Sequence, residues 1–156
     1  MNNIHNYLLP HGYIIRKAKP SDMWLVFLFI IRGRLDPSQL KWQQFLVIEH
    51  DSFLVAFGQL RNFKFAQELG SLFVVPAYRN QGLGTFLIQH LIAQSTQPLY
   101  LKCLEHQLEI FYAQRGFIPV SYEELPVSLK SKFRLSQLRK SLLKAFVVFM
   151  KYQYPI

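Results

Sequence analysis

The sequence predicts one domain of the α/β (α+β) class, with a central mixed, mostly antiparallel sheet flanked by helices. Three observations predict it. Strands and helices come in mixed order, with hairpins early and a strand–helix–strand unit later, an order that favours one sheet covered by helices. Leu72 to Thr85 runs as an apolar strand to a proline, turns through two glycines and enters a helix. The chain has 156 residues, 51% of them hydrophobic and 15% aromatic, which suffices for a real core and argues against disorder.

The elements follow in order. Tyr13 to Lys17 alternates weakly and gives a first strand. Pro20-Ser21-Asp22 opens an apolar helix that Gly33 stops. Asp36-Pro37-Ser38 signals a second, short helix through Gln43. Phe45 to Glu49 and Phe53 to Leu60 are β-rich runs around His50-Asp51-Ser52, a hairpin signal. Within the second run Gly58 marks a bulge or a close backbone approach. Leu69 to Val75 is the next strand, and Leu83, Phe86, Leu87, Leu91 and Ile92 then recur at helical spacing. Leu99 to Leu104 is a strand, Leu108 to Arg115 a helix and Phe117 to Val120 a strand. In the tail, Leu135 to Lys144 has helical spacing with Ser136 as N-cap. Ala145 to Tyr152, rich in valine and aromatics, reads as a closing strand beside Phe117 to Val120. The alternative is one helix from Ser136 to Met150. No repeat, low-complexity tract or linker divides residues 1–156, so they read as a single domain with an elaborated C-terminal segment, 121–156.

Composition narrows the functional classes. One cysteine, Cys103, excludes an internal disulfide framework and fits a reducing, cytoplasmic setting. No secretory signal is legible at the amino terminus. The densest apolar run, Met23 to Ile31, is about half the length that crosses a bilayer. The five histidines, at 5, 11, 50, 90 and 106, lack the spacing of a metal site, so no metal is expected. The net charge of +9 suits a polyanionic cofactor, an anionic surface or mere solubility. Lys130, Lys132, Arg134, Arg139, Lys140 and Lys144 gather in the tail; a solvated face is the ordinary meaning, and peripheral contact with an anionic surface stays open. No recognised nucleic-acid motif, Gly-x-Ser-x-Gly elbow or Walker loop is present.

The glycine turn carries most chemistry. Turns of this kind present free N–H groups at the positive end of a helix dipole, a cradle for a diphosphate. Arg79-x-x-Gly82-x-Gly84, followed by Phe111-Tyr112-x-x-x-Gly116-Phe117 on a helix that closes at a glycine and feeds a strand, resembles the GNAT superfamily of acyl-CoA-dependent N-acetyltransferases. The resemblance is tightest from Glu68 to Val120.

It implies an enzyme that moves an acetyl group from acetyl-CoA to an amine by direct attack in a ternary complex. Arg79, Asn80, Gln81, Gly82, Leu83, Gly84 and Thr85 would hold the diphosphate, chiefly through main-chain amides, so that side-chain identity at Asn80 and Leu83 should matter little. Leu72, Phe73 and Val74 would pair strand-like with the pantetheine arm, and an N–H near Val74 would face the oxyanion. Tyr112 stands where relatives place the acid that protonates the departing thiolate; an ordinary phenol pKa near 10 would make that transfer nearly balanced. Glu68 is the candidate base, acting through water. Glu105 and Leu108 depart from the family, which often has asparagine and alanine there. The acceptor would be a small-molecule or protein amine, and a homodimer through the closing strands stays open. The alternative is an inactive acyl-CoA-binding sensor or interaction module with this fold.

Overall fold

Alternation at the start of the chain gives strand β1 (Tyr13–Lys17), and a 3₁₀ turn at Pro20–Asp22 leads into helix α1 (Met23–Arg32). This is a computed structural model that describes residues 8–153; His5, counted in the histidine spacing above, lies outside them. Strands β2 (Phe45–His50), β3 (Phe53–Phe63) and β4 (Ala66–Val74) and helix α2 (Leu83–Gln94) follow. Then come β5 (Leu99–Cys103), α3 (His106–Ala113), β6 (Phe117–Val120), α4 (Val127–Leu143) and β7 (Val148–Tyr152). The seven strands make a mixed sheet, and the backbone gathers into two compact units.

The first unit holds residues up to Arg61 together with Leu69–Gln94. Its strand order is β1-β2-β3-β4. β1 and β2 are antiparallel from Tyr13↔His50 to Lys17↔Leu46. β2 and β3 form the expected hairpin, closed where Asp51 and Ser52 both take positive φ, 48° and 66°, the backbone of tight hairpin turns. α1 buries Val26 and Ile30 against Ala18, Phe45, Val47 and Phe57. Arg16 secures the helix entry by donating to both carboxylate oxygens of Asp22, at 2.7 and 2.9 Å, and to Glu49.

The short helix expected from Asp36 through Gln43 does not form. The Asp36 carboxylate accepts from the Ser38 N–H at 2.9 Å and the Ser38 hydroxyl at 2.6 Å, a local side-chain alternative to helical pairing. Gln39 then takes φ 52°, and a 3₁₀ turn at Trp42–Gln44 leads into β2.

The second unit holds Asn62–Glu68 and the chain from Ser95 onward. Here β4 pairs in parallel with β5 at Gln67↔Leu99 and Glu68↔Tyr100, and β7 is antiparallel to both β5 and β6. The closing strand beside Phe117 to Val120 is therefore present, and the single-helix alternative is not. The helix before it is longer than expected. It begins at Val127, after Pro126, and Ser136 lies inside it, accepting from Lys102 Nζ at 3.0 Å instead of capping. The proline's fixed φ and missing N–H suit a helix start. α4 buries Leu129 and Phe133 against Tyr100, Val147 and Phe149. Among the described residues no helix is long and apolar enough to cross a membrane, and no group of three or more His, Cys, Asp or Glu could hold a metal ion.

Candidate active site

β4 changes character along its length, and the candidate cofactor segment is its open end. From Ala66 to Ser71 every residue is buried; Leu72, Phe73 and Val74 are half-buried. The change falls at Ser71, whose φ of 30° is not that of an extended strand; such a residue bends its strand as a bulge does. Past Val74 a 3₁₀ turn at Pro76–Tyr78 delivers the chain to the glycine turn.

Asn80 at φ 62° and Gly82 at φ 81° reverse the chain immediately before α2. For Gly82 the positive φ costs nothing, having no Cβ to clash. The first in-register helical bond is from the Phe86 N–H to the Gly82 carbonyl, 3.0 Å. Among the described residues, the N–H groups of Gln81, Gly82, Leu83 and Gly84 donate to no backbone carbonyl outside regular elements, as expected of a helix start. The helix dipole adds partial positive charge there.

Side chains around the turn depart from the simplest expectation. Leu83 and Thr85 are buried, so the identity of Leu83 matters to the core whatever its amide does. Arg79 folds back: its Nε donates to the Val74 carbonyl at 2.9 Å and its guanidinium lies 5.7 Å from the Phe73 ring centre. Gln81 accepts at Oε1 from the Tyr13 hydroxyl, 2.6 Å.

The remaining expected residues lie in the second unit. Tyr112 on α3 is 8% exposed, with its ring against Phe111 and Phe117. Burial, and secondarily Cys103, push its hydroxyl pKa well above the ordinary tyrosine value, with Arg115 opposing. It is thus a weaker acid than the balanced donor expected, and it stays protonated throughout the neutral range. The Cys103 thiol is itself pushed up to about 12, by burial first and Glu109 second. Gly116 closes this stretch with φ 94°; a Cβ there would lie 2.8 Å from Cε2 of Tyr152.

Glu68, the candidate base, lies in the interior. It is the third residue of β4, 3% exposed, and its carboxylate is ion-paired with the Lys132 ammonium from α4. Glu105 sits at the start of α3, where its carbonyl accepts from the N–H groups of Leu108 and Glu109, both at 3.2 Å. Sequence reasoning missed Arg61, 1% exposed, which reaches Ser71 at the bend of β4.

The fold is α/β, with a bent strand running into a glycine turn and a helix start, an arrangement whose free N–H groups suit an anion. The acetyltransferase (GNAT) domain family matches residues 41–119, just over half of the chain. The chain belongs to that family. An amino-acid acetyltransferase of Buchnera aphidicola is 30% identical over 120 residues, 73% of this chain and 27% of the relative. The one from Salmonella typhimurium is 26% identical over 136 residues, 85% and 30% respectively. The chain thus spans less than a third of these curated relatives. Among solved structures, N-acetylglutamate synthase from Neisseria gonorrhoeae, complexed with coenzyme A and N-acetyl-glutamate, superposes with TM-score 0.73 at 19% identity, over 93% of this chain and 36% of that one. A Mycobacterium tuberculosis protein in complex with CoA gives 0.69 at 19% identity, over 91% and 99%. Those likenesses establish the fold.

Proposed function

We propose that this chain is an N-acetyltransferase that uses acetyl-CoA as co-substrate and acetylates an amine by direct attack in a ternary complex. One observation carries the reading: a half-open strand, Leu72–Val74, leads into a turn whose Gln81–Gly84 amides, among the described residues, donate to no backbone carbonyl outside regular elements. That order suits an extended amide-bearing arm followed by a diphosphate. Structural neighbours solved in complex with coenzyme A support the same cofactor. Acetyl-CoA would supply the activated acyl group; the chain's own amides bind and orient it.

Transfer requires the amine to lose a proton, the carbonyl oxygen to be stabilised and the leaving thiolate to be protonated. We assign the last task to Tyr112 on the family resemblance; burial, which raises its pKa, makes it a weaker acid for that step than an exposed phenol would be. Glu68 as base would have to act while ion-paired with Lys132, so its assignment rests on the resemblance alone. The relatives' name, amino-acid acetyltransferase, makes the α-amine of a free amino acid the first acceptor class to try.

Calorimetric titration with acetyl-CoA, followed by mass-spectrometric detection of product over an amino-acid and amine panel, tests the reading. Absence of binding at millimolar cofactor would refute it. Tyr112→Phe should lower kcat by about 10²- to 10⁴-fold, the usual worth of a positioned acid, with cofactor affinity nearly unchanged. Equal turnover in variant and parent would remove Tyr112 from that role. The occupied Glu68 carboxylate favours one second reading, a module that binds acyl-CoA without transferring. Tight cofactor binding with no product across the panel would select it.

A further inference from the structure

Arg61 is a charged side chain in the middle of the first unit's interior, and nothing in the transfer chemistry above uses it. Its Nε donates to the Ser38 carbonyl at 3.1 Å, and its Nη2 donates to the Asp36 carbonyl and to the Ser71 hydroxyl oxygen, both at 2.9 Å. Nη1 lies 3.5 Å from the Asp36 carboxylate. The Ser71 hydroxyl in turn donates to the Asp36 carbonyl at 3.1 Å. Ser71 is therefore held from both sides, as acceptor and as donor, at the residue where β4 leaves the extended conformation. A serine rarely keeps a positive φ unless its surroundings hold it there.

Gly70 completes the arrangement. A Cβ at that residue would stand 2.2 Å from Nη1 of Arg61 and 2.5 Å from Cζ. The guanidinium thus fills the space a side chain at residue 70 would need, directly beside the bend. Upstream of Ser71 the strand is buried; downstream, Leu72–Val74 is half-open. A fully buried guanidinium is tolerated only when its donors are satisfied, so the cluster is held as a unit.

We propose that Arg61, with Ser71 and Asp36, is a positioning cluster that sets the bend in β4 and so presents the main chain of Leu72–Val74 to the acyl-bearing arm of the cofactor. This rests on the cofactor reading above and adds a division of labour to it. The bend governs the pantetheine arm, and the glycine turn governs the diphosphate. The two parts of one ligand should then respond separately to one substitution.

The test is Ser71→Ala, which removes a single hydroxyl from the cluster. Binding of acetyl-CoA and of 3′-phospho-ADP, the cofactor's nucleotide portion, is measured for parent and variant, with hydrogen exchange followed at both segments. The expected result is acetyl-CoA affinity about tenfold weaker, the scale of one buried hydrogen bond to a charged partner, with 3′-phospho-ADP affinity within about twofold by the same scale. Exchange at Leu72–Val74 should quicken while α2 is unchanged. Arg61→Lys keeps the charge but cannot reach two carbonyls and a hydroxyl together, and should give the same split, enlarged. Equal losses for both ligands would make the cluster a general structural element and overturn the proposal, as would no loss for either. A parent chain that binds 3′-phospho-ADP and acetyl-CoA equally would overturn it too, because the arm would then contribute nothing. A parent that binds neither defeats the cofactor reading itself.

Discussion

Gly58→Ala should destabilise the protein although it adds one methyl to a strand. Gly58 lies in β3 opposite Leu46 of β2. A Cβ built there would stand 2.7 Å from Cδ1 of Leu91 on α2 and 3.2 Å from Cδ1 of Leu72 on β4. Carbon atoms pack best at about 3.5–4.0 Å, so the Leu91 methyl would have to retreat by nearly 1 Å on that scale. Leu91 is 1% exposed, which leaves its side chain little room to turn. Overpacking of this kind costs about 1–3 kcal/mol. Replacing glycine also restricts the unfolded chain, a gain of about 0.4–1 kcal/mol where the native φ is compatible. The clash is the larger effect, and a net loss of about 1–2 kcal/mol remains. For a chain of this length that lowers Tm by about 2–8 °C.

Circular dichroism melts and urea titrations of the parent, Gly58→Ala, Leu91→Ala and the double variant measure this. Leu91→Ala alone should cost about 2–5 kcal/mol by emptying a packed site. In the double variant the new methyl enters the space Leu91 vacated, so the combined loss should fall short of the sum. Unchanged or raised stability in Gly58→Ala, or strict additivity in the cycle, would refute the argument from close approach. Leu72 gives a functional corollary: as the half-buried neighbour it yields more readily, and acetyl-CoA affinity should weaken along with stability.

Two further perturbations separate paired charges from free ones. Glu68→Gln leaves the partly buried Lys132 ammonium without its carboxylate and should cost about 3 kcal/mol, read from urea midpoints; adding Lys132→Met should recover most of that loss, whereas no recovery would show that the pair is not what Glu68 contributes. Asp22 is held below the usual carboxylate range, first by its hydrogen bonds from Arg16; its contribution is present above the unfolded carboxylate pKa and is lost as pH falls through the depressed folded value. Stability should therefore decline below about pH 4 by about 1–2 kcal/mol more in the parent than in Asp22→Asn, the worth of hydrogen bonds to a charged group, and identical acid limbs would contradict it.

What the sequence revealed and what it concealed divide by the distance over which each residue finds its partner. The Asp51-Ser52 hairpin, the α1 stop at Gly33, the Gly82 turn and the glycine after α3 are local: each is set by a dihedral preference or a period of two or 3.6 residues. The short helix expected after Asp36 failed for an equally local reason, because its carboxylate captured Ser38 two residues on. Arg61 and Glu68 are another matter. Arg61 falls just past the Phe53 to Leu60 run with no role in any motif, and Glu68, the candidate base, stands just ahead of the Leu69 to Val75 run, yet both are buried. Arg61 meets the carbonyl of a residue 25 positions earlier, and Glu68 meets an ammonium 64 positions later. No pattern within a strand's length distinguishes an ionic side chain facing water from one facing a distant partner. The Ser71 bend is hidden for the same reason, since nothing in Gly70-Ser71-Leu72 demands a positive φ and its supports come from Asp36 and Arg61. Fold was therefore legible from local periodicity, whereas the fate of a charged residue depends on topology that must be built first. Glu68 shows why this matters for function. A carboxylate at the right place in a motif invites a catalytic role, but the Lys132 partner means that a loss of activity in Glu68→Gln must be divided by its loss of stability before any of it is assigned to proton transfer.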